Sequence, residues 1–378
     1  LLKGFLGERS GLSHHPPALP FFITISHKMF APRIDYIVNL SGNIYLMIYN
    51  FAFQFYATFV PFIFSLFFIL SVYFLGKIFF SHRIGLASAW FLSLTPIELV
   101  VANKIWADDM TAFFAVVAVI FYFRAQRCDK PIFALLSGLI CGLSILTKMS
   151  GLYMIIVILV FHALEHQNSK VNPSNLIKFL FDKNIFLFLA GVLIMSGWWI
   201  QLFYLGGGFK GSVSYVFKVN ETSSAVRAWN QYFQASSSRP WFSYFVLVPF
   251  QFPLYFLSYC LILIFFLKKH FKAFGDLFLE NVSHIKFLIV WVIVVFIFLS
   301  LKPGKELRYM LIAYPAISIL SAYCLDVLYK KISSKVSGVN VKRQGLLFAL
   351  IICVSILYAL IIALPRVLLR SDLIPFPF

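Results

Sequence analysis

Along this chain, apolar and polar positions alternate in long blocks rather than with a short period. The apolar blocks are nearly free of charge and are divided by short polar links. A run of about 20 apolar residues in a helix matches the thickness of a bilayer's hydrocarbon core. Lipid offers no partner to a backbone N–H or C=O, so a helix is the element such blocks predict. Ten spans follow, at 55–76, 84–101, 109–124, 131–147, 150–165, 185–205, 241–267, 285–301, 309–328 and 345–364. The link Thr147–Gly151 is very short for a turn, and Pro249 with Pro253 predicts a kink or strong tilt in the seventh span. Upstream, Pro16-Pro17 makes a stiff lead into Ala18–Phe30, which is too short to cross and reads as a helix lying on the membrane surface. A loop follows to about Asn50. The organisation expected is an extracytoplasmic segment over 1–54 and a transmembrane domain over 55–378 with a long outer loop, 206–240.

Composition sharpens the class. Of 378 residues, 61% are hydrophobic and 12% charged, where a soluble domain is nearer half apolar and a quarter charged. The fold class is therefore an all-α polytopic membrane protein. Against that background the net charge of +18 is not a nucleic-acid signature, and its distribution carries the information. Loops 77–83, 124–130, 166–184, 268–286 and 329–344 hold 17 of the 32 basic residues in the smaller part of the extramembrane chain. That denser side is the cytoplasmic one. His14-His15, Asp108-Asp109, Lys148, loop 206–240 and loop 302–308 then share the opposite face. The five cysteines are scattered without metal-ligand spacing, and no disulfide is expected.

The candidate chemistry lies on that outer face. Asp108 and Asp109 stand at the mouth of a span, where an acid is costly and marks a site. Aspartate at a helix start also caps free N–H groups and suits the dipole, so both readings stand at this point. Lys302, Lys305 and Arg308, followed by Tyr309, put three cations where positive charge is normally sparse. They fit a phosphate group, or else the attraction of lysine and arginine to lipid headgroups. Lys148 alone reads as an interfacial anchor. The aromatic residues of loop 206–240 read as an interfacial belt, and Asn220-Glu221-Thr222 is a glycosylation sequon. His14 and His15 are candidate metal ligands, although no spaced carboxylate completes a site.

These residues reach a resemblance. His15-Pro16-Pro17-Ala18-Leu19 is similar to the HPPL element of the dolichyl-phosphate-mannose protein mannosyltransferase-like superfamily, which includes the aminoarabinose transferases and shares the GT-C fold. Leu75–Phe79 with Arg83–Ala87 resembles its first cytoplasmic turn. Asp109–Phe114 resembles its D-x-x-x-x-F element. Ser137–Leu143 with Thr147-Lys148 resembles GxxxGLxxLTK, and Arg308–Leu311 with Tyr314-Pro315 resembles RYxLxxxP. The resemblance implies a GT-C-type bundle and a transferase moving a sugar, with inversion, from a polyprenyl-phosphate donor to a glycan, lipid or protein acceptor. In such a reaction Asp109, with Asp108 beside it, is the expected catalytic acid pair. His15, Lys148, Lys302, Lys305, Arg308 and Tyr309 are expected to bind the donor, and a divalent ion (Mg or Mn) is a candidate cofactor. The expected setting is a bacterial inner membrane, with the endoplasmic reticulum as the alternative.

Members of the family carry a transmembrane helix and an acidic loop ahead of the HPP element. Here Glu8 is the one acid before Pro16. The chain is accordingly expected to be a fragment lacking that helix, or else a degenerate member acting as an assembly partner. A transporter or flippase for a lipid-linked or anionic substrate is the rival of another class, although its ionisable groups would sit near the midplane on broken helices.

Overall fold

The computed structural model describes residues 16–30, 42–166, 182–205, 240–266, 281–301, 305–335, 353–358 and 361. Its helices are α1 Ala18–Phe30, α2 Gly42–Phe79, α3 His82–Ser93, α4 Pro96–Ala102, α5 Asp108–Cys128 and α6 Pro131–Thr147. They continue as α7 Leu152–His166, α8 Lys183–Leu205, α9 Ser243–Gln251, α10 Phe256–Phe266, α11 Val282–Leu301 and α12 Tyr314–Lys335. Tighter 3-10 turns occur at Met149–Gly151, Pro253–Tyr255 and Leu307–Ile312. Among the described residues there is no strand. Among the described residues three segments are long and apolar enough to cross a membrane, Phe55–Phe79, Lys183–Gln201 and Val282–Leu301, and the bent pair α3–α4 makes a fourth if it is one span. The protein is an all-α, multi-pass membrane protein.

Several expected boundaries hold closely, and others move for physical reasons. Ala18–Phe30 is a helix packed on α2, and Pro131–Thr147 is α6. Helix α2 begins at Gly42, inside what the sequence suggested was a loop reaching Asn50. The expected span 84–101 is two helices meeting at 69°. Pro96 has no N–H to continue α3, so Thr95 turns extended (φ −71°, ψ 119°) and α4 restarts with proline in its first turn. The expected span 241–267 is likewise broken at Phe252 (φ −154°, ψ 113°), just ahead of Pro253. Most of 345–364 lies outside the described residues.

The two breaks meet. The buried Tyr255 hydroxyl lies 2.5 Å from Thr95 Oγ1, 3.0 Å from Ser318 Oγ on α12 and 3.3 Å from the Phe91 carbonyl. Interrupted helices expose backbone groups that lipid cannot satisfy, and neighbouring hydroxyls re-satisfy them here.

The tight link between α6 and α7 is achieved by one extended residue, Lys148 (φ −159°, ψ 141°), and a single 3-10 turn. Gly151 makes this feasible, since a Cβ there would come 2.7 Å from the Ile145 nitrogen. Helices α6 and α8 approach almost backbone to backbone: a Cβ on Gly138 would stand 2.0 Å from the Phe188 carbonyl oxygen. Small residues at such crossings let dispersion and weak polar contacts replace the hydrophobic drive that lipid removes.

Polar side chains gather away from the apolar middle. At one end Arg127 Nη2 donates to the Ile78 carbonyl (3.1 Å) and lies 3.1 Å from His284 Nε2, and Lys286 faces Glu165 at 3.8 Å. The connections α4–α5, α6–α7 and α11–α12 bring their charges together in a second cluster.

Candidate functional site

Three connections build this cluster. The segment after α4 supplies Lys104 and Trp106, the start of α5 supplies Asp108 and Asp109, and the end of α6 supplies Lys148. The 3-10 turn before α12 supplies Tyr309 and Arg308, with Glu306 and Lys305 just ahead of it. That turn is anchored from below: Trp291 Nε1 on α11 donates to the Ile312 carbonyl at 2.9 Å.

Neither aspartate caps its helix. The N-cap of α5 is Ala107, which makes no side-chain cap bond, so the capping alternative does not describe what these side chains do. Both still sit in the first turn, where the dipole favours an anion. Asp108 forms an ion pair with Lys148. Asp109 is fully buried, and neither carboxylate oxygen has a hydrogen-bond partner among the described residues. A buried polar group without a partner costs about 1–3 kcal/mol, more when charged, and such sites are kept where something else is to be bound.

Around the acids lies a cationic wall. Lys148 Nζ stands 4.7 Å from the centre of the Tyr309 ring. The Arg308 guanidinium lies 4.2 Å over Trp106 and 5.4 Å from the Tyr309 ring, with Nε 2.5 Å from Glu306. Tyr309 donates its hydroxyl to Glu306 at 3.0 Å. Lys104 Nζ lies 4.7 Å from the centre of the Trp106 ring, so two cations share that indole. Lys305 and Glu306 are buried. Partial burial, and then the Arg308 charge, hold the Lys104 ammonium below its usual value. The Arg308 share of that displacement is repulsion between two cations, which an anion would relieve.

Of the residues singled out from sequence, Asp108, Asp109, Lys148, Lys305, Arg308 and Tyr309 converge here. His14, His15 and Lys302 lie outside the described residues, as do Asn220-Glu221-Thr222 and nearly all of loop 206–240. One acid was passed over. Glu98 on α4 is buried within an otherwise apolar helix, and Ser65 Oγ donates to its Oε1 at 2.5 Å. The signal was present as a single acid two residues after Pro96 in an apolar run.

A metal finds no ready set of donors. Among the described residues no three His, Cys, Asp or Glu side chains come together. Asp108 is taken up by Lys148, which leaves Asp109 as the carboxylate with unused oxygens in this cluster. The described residues alone do not fit a divalent ion.

An apolar groove of about 640 Å³ runs beside α11, between α9 and α10. Val292, Phe296, Ile297 and Leu301 line one wall, and Phe245 and Leu263 are among those facing them. Its lining follows α11 from Val292 to Leu301, about 15 Å at 1.5 Å per residue. Leu301, the last residue of α11, is also the last of its lining.

With this geometry described, the relatives are informative. Residues 31–199 match the family model of dolichyl-phosphate-mannose-protein mannosyltransferase. The fold is shared with the archaeal oligosaccharyltransferase AglB from Archaeoglobus fulgidus, solved with an inhibitory peptide and a dolichol-phosphate (TM-score 0.55, 15% identity, 92% of this chain and 47% of that one). An oligosaccharyltransferase from the same organism, solved with zinc and sulfate, is similar at TM-score 0.56 and 16% identity over 93% of this chain and 44% of that one. ArnT from Cupriavidus metallidurans, bound to undecaprenyl phosphate, is similar at TM-score 0.55 and 16% identity over 95% of this chain and 63% of that one. No curated protein matches the sequence at a significant level. Over residues 31–199 the chain is similar to that family, and over nearly its whole length it shares the fold of these solved structures. It spans between 44% and 63% of the length of these solved relatives.

Proposed function

We propose that the protein is a membrane glycosyltransferase that moves a sugar from a polyprenyl-phosphate donor to an acceptor hydroxyl or phosphate at the extracytoplasmic face. The observation that carries this reading is Asp109: a buried carboxylate with no hydrogen-bond partner among the described residues, next in the chain to Asp108, which is ion-paired with Lys148. An acceptor hydroxyl is the partner such a group lacks. Asp109 takes its proton as the oxygen attacks the anomeric carbon. The bond from that carbon to the lipid phosphate breaks, its electron pair goes to the phosphate oxygen, and a single displacement inverts the centre.

Arg308, Lys305, Lys148 and Lys302 hold the departing phosphate, with Arg308 supplying a planar fork and the lysines point charges. Tyr309 positions Lys148 and Arg308 through its ring. The groove beside α11 suits the prenyl chain, since its lining is almost wholly apolar and reaches Leu301, the residue before Lys302. A divalent ion would need ligands beyond the described residues, and His14 and His15 are the candidates. Relatives solved with dolichol-phosphate and with undecaprenyl phosphate support the donor class.

The finer architecture belongs to the same proposal: a GT-C-type bundle of ten spans, with 1–54 on the outer face and 55–378 in the bilayer. The bacterial relative bound to undecaprenyl phosphate favours an inner membrane, and the match to the mannosyltransferase family keeps the endoplasmic reticulum as the alternative. The two broken helices joined at Thr95 and Tyr255 favour a second reading, a transporter or flippase, because transporters place sites at such breaks.

The test uses the full-length gene product in membranes with a panel of radiolabelled polyprenyl-phosphate sugars, with and without EDTA. Release of label from the lipid onto an acceptor supports the transferase and names its donor. Translocation with the sugar–phosphate bond intact would replace it with the transporter.

A further inference from the structure

Arg308, which carries the planar fork of the cationic turn, has an anion of the chain itself against it. Glu306 Oε2 lies 2.5 Å from Arg308 Nε, and Glu306 Oε1 accepts the Tyr309 hydroxyl at 3.0 Å. Water screens this pair little, since the Arg308 side chain is 17% exposed and that of Glu306 8%. Arg308 Nε nonetheless has no aligned hydrogen-bond acceptor among the described residues, so charge more than a directed bond holds the two together. The guanidinium plane has a support of its own in Trp106, at 4.2 Å.

The turn does not depend on the Glu306 carboxylate. Glu306 is the N-cap of the 3-10 turn Leu307–Ile312 and makes no side-chain cap bond. Its backbone carbonyl accepts the Tyr309 N–H at 3.1 Å and the Tyr244 hydroxyl at 3.3 Å, which ties the turn to α9 through the main chain. Trp291 holds the far end of the turn. What remains is a buried carboxylate that caps nothing and presents two anionic oxygens to donors that a phosphate would use.

The reaction changes what that carboxylate competes with. A polyprenyl-phosphate sugar is a phosphodiester with one negative charge. Once the sugar has left, the lipid carries a phosphate monoester, with about 1.5 to 2 negative charges at neutral pH. The same cations therefore hold the product more tightly than the donor, and product release becomes the difficult step.

We propose that Glu306 is a positioning residue for product release: its carboxylate competes with the lipid phosphate for Arg308 and Tyr309, gives way when the donor binds, and returns as the polyprenyl phosphate leaves. No covalent bond is made or broken in this exchange; one anion replaces another on the same cation. The role rests on the transferase reading for the identity of the phosphate, but the competition for Arg308 does not.

The experiment measures binding of farnesyl phosphate, a short prenyl phosphate monoester, to the purified full-length protein in lipid nanodiscs. Wild type is compared with Glu306→Gln, with Arg308→Ala and with the double variant. Glutamine removes the charge and keeps an acceptor for Tyr309, and folding is followed by size-exclusion elution and helical circular dichroism. Glu306→Gln should lower the Kd by about tenfold, and adding it to Arg308→Ala should give no such gain. A Glu306→Gln protein that fails to fold, or binds no tighter than wild type, shows a structural carboxylate and overturns the proposal. A gain that persists without Arg308 overturns it too. In sugar transfer, Glu306→Gln should lower both KM for the donor and kcat, whereas a merely structural defect does not lower KM. If farnesyl phosphate binding tightens as expected while wild type transfers no sugar, the exchange stands and the transferase reading falls. If sugar is transferred and Glu306→Gln binds no tighter, the transferase stands and the exchange falls.

Discussion

Asp108 and Asp109 are neighbours in sequence with opposite environments: Asp108 is ion-paired with Lys148, whereas Asp109 is fully buried with both oxygens unpartnered among the described residues. Consecutive helical positions point about 100° apart, so one residue faces the α6–α7 turn while the next faces inward. The pair therefore divides into a group engaged by a cation and a group whose oxygens are unengaged among the described residues.

Asp109→Asn should abolish transfer, by about 100-fold or more, with no loss of folded protein, because the carboxylate it removes makes no hydrogen bond among the described residues. Sugar release and thermal unfolding in detergent, measured on one preparation, check both halves. Full activity in this variant would remove Asp109 from the mechanism.

Lys148→Met and Asp108→Asn should each destabilise the protein, and the double variant should cost less than their sum. Lys148 is about a quarter exposed and Asp108 is buried, so a coupling of about 1–2 kcal/mol is expected, between surface and buried pairs. A double-mutant cycle on unfolding measures it.

At Arg308, lysine is not a conservative replacement. The guanidinium stacks on Trp106 at 4.2 Å and meets Glu306 at 2.5 Å, and an ammonium keeps the charge without the plane. Arg308→Lys should weaken donor binding by about tenfold and Arg308→Ala by more, read as KM for the lipid-linked sugar.

Lys104 gives a pH dependence with a definite sign. Burial and the Arg308 charge lower its titration point, and a bound phosphate raises it again. Binding of a phosphate lipid should therefore take up protons on the alkaline side and weaken as pH rises through the Lys104 titration. In Lys104→Gln that alkaline slope should flatten. Binding isotherms across alkaline pH decide the point.

Gly138 and Gly197 make a paired test of the fold. A Cβ at Gly138 would meet the Phe188 carbonyl oxygen at 2.0 Å, whereas at Gly197 the nearest atom is 3.9 Å away. Gly138→Ala should lower the melting temperature sharply, and Gly197→Ala should leave it unchanged or raise it slightly.

Much of the site was legible before any coordinates. The alternation of spans predicts Asp108-Asp109, Lys148 and the 302–308 loop on one face, and Asp108, Lys148 and Arg308 do belong to one cluster. Glu98 was not legible in that way, because it sits in an apolar run that counts as a span, and its burial depends on how sharply that run bends.

The sequence by itself determined the class and many of the helical segments, and it gives an expectation for the face on which the charges gather. These follow from local rules: block length against bilayer thickness, the missing N–H of proline, and the density of basic residues in loops. The tertiary structure alone decided that 84–101 bends by 69°, that Asp108 goes to Lys148 and Asp109 to none of the described residues, and that Glu98 goes to Ser65. Those outcomes depend on contacts between residues far apart in the chain. Lys148 meets Asp108 across 40 positions, and Ser65 meets Glu98 across 33. Neither pairing leaves a mark on the local pattern, because an ion pair or a hydrogen bond between two spans is formed by packing, and packing is settled by all the helices together.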